Sequence, residues 1–188
     1  MANVNAPNGF VPLRHLTGGV IRANEYAIAN GYAANLASGD LVTLTTDGTI
    51  IRGTAGGTAL GVFYGVEYID NDTGDVKFKK VWSNATAVKS GTPIKAYVYD
   101  DPNITYAVQT NGVFATANVG ELANVTIGTY NSTYGHSTDE LDIATLATTA
   151  KVLRILRLID YPDNAAGADA SVEVVINLSL YGTQNAGV

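Results

Sequence analysis

Apolar positions along most of this chain recur at every second residue, in short runs separated by turn residues. "LVTLTT" (41–46) leads through Asp47-Gly48 into "TIIRGT" (49–54). This is the strongest hairpin signature in the sequence, because Asp-Gly accepts the positive φ of a tight turn. "ALGVFYGVEYI" (59–69), "VKFKKVW" (76–82), "TPIKAYVYDD" (92–101) and "TYAVQTNGVFATA" (105–117) read as further strands. "DNDTGD" (70–75), Pro102-Asn103 and Asn111-Gly112 supply the turns. "AKVLRILRLIDYP" (150–162) places Lys151, Arg154 and Arg157 at helical spacing, but Val, Leu and Ile fill the run. With "SVEVVINLSLYG" (171–182) alternating after it, the two predict a long hairpin. Strands this closely spaced predict an all-β fold, an antiparallel β-barrel or sandwich. "ANEYAIANGYAANLASGD" (23–40) allows a turn or two of helix, and "HSTDELD" (136–142) offers a capping box from Ser137 to Glu140. The expectation is therefore at most one or two short helices.

"NGFVPLRHLTGG" (8–19) follows neither the helical nor the strand period. We read residues 1–35 as an extended irregular N-terminal arm and 36–188 as the β-rich body, with room for two small lobes meeting near 115–125. Phe10, Val11, Leu13 and Leu16 cannot bury themselves on such an arm, so it must lie on its own barrel, on a neighbouring subunit or on a third protein. Pro7 and Pro12 hold it extended, and Gly18-Gly19 permit a sharp change of direction. Arg14 offers a planar fork for a carboxylate or carbonyl.

Composition narrows the class of function. Charged residues make up 15%, against about 25% in an ordinary soluble domain. Such a neutral surface suits either burial against partners or a plain Thr/Asn/Ala-coated β-protein. The net charge of −6 disfavours nucleic acid as a partner. The absence of cysteine excludes disulfides, thiolate metal sites and a cysteine nucleophile. No run approaches the ~20 apolar residues of a membrane span, so no membrane partner is expected. "MANVNAPNGF" carries neither the basic nor the apolar region of a secretory signal, and synthesis in a cytoplasm is expected.

Each constellation with chemical potential has a plainer reading. Asp70, Asp72 and Asp75 fail the calcium-loop spacing, since the sixth position is Asp75 and the twelfth Val81. They fit the solvated tip of a hairpin. Gly53, Gly56, Gly57 and Gly61 lack the Lys-Ser/Thr pair and the helix of a phosphate cradle. His136, Ser137 and Asp139 contain the letters of a triad but are too close in sequence for its geometry, and Ser137 is better used as a helix cap. With His15 as the only other histidine, no metal site is predicted. Asp100 and Asp101 at a strand end point to opposite faces and suit a turn. Tyr64, Tyr68, Tyr97 and Tyr99 fall two or four residues apart, so each pair shares one sheet face, as in a glycan platform or a subunit interface. We predict no catalytic residue, no cofactor and no enzyme.

The opening segment, through Ala6, Pro7, Gly9, Phe10, Pro12, Arg14 and His15, resembles the start of head decoration (cement) proteins of tailed double-stranded DNA bacteriophages. "ASGDLVTL", "ALGVFYGVEY", "ANVGELANV" and "GHSTDELD" resemble further blocks of that family. The resemblance implies a virion protein on the outer surface of the expanded capsid, made in the host cytoplasm. It implies a homotrimer that clamps adjacent major capsid protein subunits for capsid stabilisation, without an active site. Phe10, Pro12, Leu13, Arg14 and His15 are then the expected capsid or subunit interface. The rival expectations are another virion component (tail tube or head fibre) and a glycan-binding β-sandwich module.

Overall fold

The alternating runs become strands because each buries one face, and the turns fall where Gly, Asn and Asp interrupt them. The structure, a computed structural model, describes residues 3–182. Its strands are β1 (Val11–His15), β2 (Asn24–Ala27), β3 (Leu36–Ala37), β4 (Leu41–Leu44), β5 (Ile50–Arg52) and β6 (Gly61–Ile69). There follow β7 (Val76–Lys79), β8 (Val81–Trp82), β9 (Lys95–Tyr99), β10 (Ile104–Gln109) and β11 (Leu122–Thr126). The last are β12 (Tyr130–Asn131), β13 (His136–Ser137), β14 (Glu140–Ala147), β15 (Leu153–Leu158) and β16 (Ser171–Ile176). The fold is all-β, and every strand pairing within its sheets is antiparallel.

Two sheets carry the fold. One runs β1-β10-β16-β15-β11-β14 and the other β2-β9-β6-β4-β5, with β7 also on β6. Each curls until it closes through one parallel bridge: in the first from Thr110, just after β10, to Leu141 of β14, which leaves β1 as an edge strand, and in the second from Ala27 of β2 to Thr49 beside β5. Two barrel-like lobes result, each around its own apolar cluster. Tyr106, Phe114, Leu153 and Val174 belong to the first, Phe63, Val66, Trp82 and Val98 to the second. The chain passes between lobes at residues 16–23 and 100–103, and Leu180 returns to hydrogen-bond Ala59. Residues 115–125, where the sequence leaves room for a junction, hold a 3-10 turn (Thr116–Asn118) and the first part of β11.

The β4–β5 hairpin and the β15–β16 pairing form as the sequence predicts. Two expectations are corrected. Residues 1–35 are not irregular throughout: β1 pairs with β10 and β2 with β9. The register of β1 slips between Pro12 and Arg14, so Leu13 bulges out and breaks the alternation that would have marked a strand. Pro12 is tolerated because β1 is an edge strand. The helix expected after Ser137 is also absent: Ser137 ends β13 and Glu140 opens β14. The Ser137 hydroxyl accepts the Asp139 N–H within a tight strand connection, so its capping capacity is used locally.

The arm is fixed by an approach only glycine permits. Gly9 is buried at φ +62°, and a Cβ there would collide with the Ser137 side chain and the Gly39 carbonyl. Gly48 has φ +74° in the open β4–β5 turn, with nothing near a Cβ. Gly48→Ala is expected to cost about 1 kcal/mol, the left-handed penalty alone, and Gly9→Ala clearly more than that. Urea unfolding of the two variants checks the order.

Candidate functional site

Four of the five residues expected at a capsid or subunit interface, Phe10, Pro12, Arg14 and His15, engage the protein's own body. Phe10 is 1% exposed, edge-on to Tyr106 at 6.3 Å between centroids, and its N–H donates to the Gly39 carbonyl. Pro12 and Leu13 are half-buried. Arg14 donates from Nε to Glu173 Oε1 at 2.7 Å, and Arg157 reaches the other carboxylate oxygen at 2.5 Å. Glu173 has no exposed surface, since these two side chains lie over it. Burial pushes its carboxyl up, but Arg14, Thr105 and Arg157 outweigh that and hold it below the usual glutamate range. His15 Nδ1 accepts the N–H groups of Thr17 and Gly19, so its hydrogen sits on Nε2 and points to Asp101 Oδ2 at 3.0 Å. Asp101 is held low by the Asn103 N–H first and by His15 after it. Upstream, Asn3 is bonded to Ala165 and Ala168, and the Gln109 amide spans Val4, Ala6 and Asp169.

The triad letters separate. His136 Nδ1 lies 2.9 Å from Asn8 Oδ1, Ser137 caps Asp139, and Asp139 faces Arg52. Arg52 at the end of β5 is the centre of a buried charge cluster between the lobes. Its Nη2 lies 2.6 Å from Asp139 Oδ1, 2.9 Å from the Gly128 carbonyl and 3.0 Å from Asp40 Oδ1. Asp40 and Asp139 are fully buried. Burial, then the Asp139 charge, push Asp40 up to about 6, against the pull of Arg52, the Ser137 hydroxyl and the Ala37 N–H. Asp139 is raised as well, by burial, with Arg52 and the Gly128 N–H opposing. Asp40, Arg52 and Glu173 drew no attention in the sequence. A single acid inside the apolar run "SVEVVI" was the one signal that could have marked Glu173.

The remaining candidates resolve as turns and surfaces. Asp70 Oδ1 accepts the N–H groups of Asp72 and Thr73, and Oδ2 takes Lys77 at 2.6 Å, which makes the acidic tip a self-satisfied hairpin turn. Asp100 turns toward Asn24 and Tyr26 while Asp101 turns toward His15 and Asn103, as expected of neighbours at a strand end. Tyr64 and Tyr68 do not share a face. The register of β6 against β9 slips between Phe63 and Gly65, which leaves Tyr64 exposed and Tyr68 buried against Trp82. Tyr64 instead joins a string of aromatic rings on the outer face. Its centroid is 5.5 Å from Tyr99 and 5.8 Å from Phe78, which is 5.7 Å from Tyr97.

No protein-family model, curated protein or solved structure matches the chain.

Removing Arg52 strands two buried carboxylates. Arg52→Met is expected to cost about 3–5 kcal/mol at pH 7. The sign with pH follows from Asp40. Its folded pKa lies above the unfolded value, so protonation favours the folded state as pH falls from 7 towards 4, and the benefit is lost as pH rises through about 6. The deficit of Arg52→Met relative to the parent should therefore shrink between pH 7 and 4.5. Urea unfolding at both pH values measures it, and a carboxyl ¹³C titration should place the parent Asp40 midpoint near 6.

Proposed function

We propose that this protein is a structural virion component that binds the outside of an expanded phage capsid and clamps adjacent major capsid protein subunits. The observation that carries this reading is an exposed apolar loop presented in a fixed conformation. Leu16 and Val20 are 45% and 77% exposed in the passage from the first lobe to the second. His15 Nδ1 gathers the Thr17 and Gly19 N–H groups beneath them, and the Leu16 N–H donates to the Asn103 carbonyl at 2.9 Å. A loop already ordered before contact loses little entropy on binding.

The resemblance of the opening segment to head decoration proteins supports the same reading, with a changed division of labour. Phe10, Arg14 and His15 dock the strand, and the loop after it makes the contact. Self-association into a homotrimer would present three loops at once and raise avidity without new chemistry.

Deleting residues 1–20 would remove β1 and a core phenylalanine, so it cannot separate folding from binding. The double variant Leu16→Asp/Val20→Asp can. Full-length protein is expected to co-sediment saturably with expanded capsids of its own phage freed of decoration. The double variant should lose most of that binding while its unfolding midpoint stays near the parent's. Failure of the full-length chain to co-sediment would refute the proposal, and undiminished binding by the variant would move the contact off the loop.

A further inference from the structure

Independently of the capsid reading, we propose that the cleft between the N-terminal strand and the outer face of the second lobe binds a saccharide carrying a carboxylate. The cleft has a volume of about 220 Å³ and is walled by Asn8, Pro12, Tyr64, Lys80, Tyr99 and His136. A cavity of about 150 Å³ suffices for benzene, so there is room for one six-membered ring with substituents.

Two of its polar groups, on His136 and Lys80, have no partner among the described residues. His136 Nδ1 is engaged by Asn8 Oδ1, so the ring hydrogen sits there and Nε2 offers a lone pair. That Nε2 is buried and has no hydrogen-bond partner. Burial, and after it the Lys80 charge, lower the His136 pKa and keep the ring neutral. Lys77 and Lys95 are paired with Asp70 and Glu25, whereas Lys80 has no carboxylate partner among the described residues. The exposed Lys80 ammonium suits a ligand that brings negative charge, and a small rotation of the His136 ring would open Nε2 to a donor in the cleft. A sugar carboxylate and a sugar hydroxyl supply the two.

The apolar part fits the same ligand. Tyr64 and Tyr99 border the cleft, and the ring string continues outward over Phe78 to Tyr97. Phe78 is 51% exposed although it lies across Gly65, where a Cβ would meet its ring. Flat, exposed rings interleaved with hydrogen-bonding groups match the C–H faces and hydroxyl edges of successive sugar units. A protein segment would instead seek a deeper, drier anchor pocket. At the far end Glu67 accepts the Tyr97 hydroxyl, so a second unit there is neutral and the carboxylate belongs at Lys80.

The test is an NMR titration of the intact protein without capsid. The probes are a tetrasaccharide alternating glucuronate with N-acetylglucosamine, its carboxyl-reduced form and a hexaglutamate peptide. Saturable shifts are expected for the His136 and Tyr64 ring signals. The reduced saccharide should bind about two- to fivefold more weakly, the share an exposed ion pair supplies. Lys80→Gln should erase that preference, and Tyr64→Ala should weaken both saccharides about five- to tenfold. Both positions are exposed, and unchanged unfolding midpoints would show that the variants are folded. Absence of saturable shifts with either saccharide overturns the proposal. So does hexaglutamate binding as tightly as the tetrasaccharide, which would leave a cleft that reads charge alone.

Discussion

One guanidinium decides whether the two lobes can sit together. Arg52 ends β5 of the second lobe, Asp40 precedes β4 of the same lobe, and Asp139 precedes β14 of the first. Two carboxylates without solvent access are costly, and a single arginine cannot satisfy every oxygen. Asp40 Oδ1, Asp139 Oδ2 and Arg52 Nε all remain without hydrogen bonds. The cluster is therefore a poor source of stability and a good source of register. Sliding one lobe along the other would leave bare charges in an apolar seam. The backbone contacts around it, Ser137 to Ser38 and Phe10 to Gly39, follow that alignment.

The N-terminal strand repeats the logic on the outer face. Glu173 lies in β16 between two arginines, one from β1 and one from β15, and Arg14 reaches its Oε1 only when β1 is in place. Gly9, Phe10, Pro12, Arg14 and His15 then read as one instruction. It comprises a close approach, a buried ring, an edge position, a carboxylate clamp and a loop anchor. A pattern of this kind looks like a binding motif in sequence because its partners lie about ninety to one hundred and sixty residues away, as the Arg14–Glu173 and His15–Asp101 separations show.

What the sequence made legible is local. Alternation and turn chemistry locate the β4–β5 hairpin and the β15–β16 pair, since both depend on neighbours in the chain. The misses share a cause in register. A bulge at Leu13 hid β1, and a slip beside Tyr64 put it on the opposite face from Tyr68. A one-residue slip inverts every face assignment beyond it and leaves little trace in composition. The helix expected at Ser137 failed for another reason. Its capping signal is real, but a hydroxyl that can cap a helix can equally cap a tight strand connection. Of the candidate site, the tyrosines were visible in the sequence. The pairing of His136 with Asn8 and the exposure of Lys80 beside it come from tertiary contacts alone.

The two proposed surfaces meet at β1. Its C-terminal end positions Leu16 and Val20, and Pro12 forms a wall of the cleft. Both therefore depend on the clamp at Glu173 and the approach at Gly9, although neither residue would touch a partner. Loss of either docking contact should blur both surfaces together, whereas changes at Val20 or Lys80 act on one alone. A strand that organises two faces must be held more firmly than its few backbone bonds allow. This accounts for a buried phenylalanine, a charge clamp and a histidine anchor all falling within six residues of one edge strand.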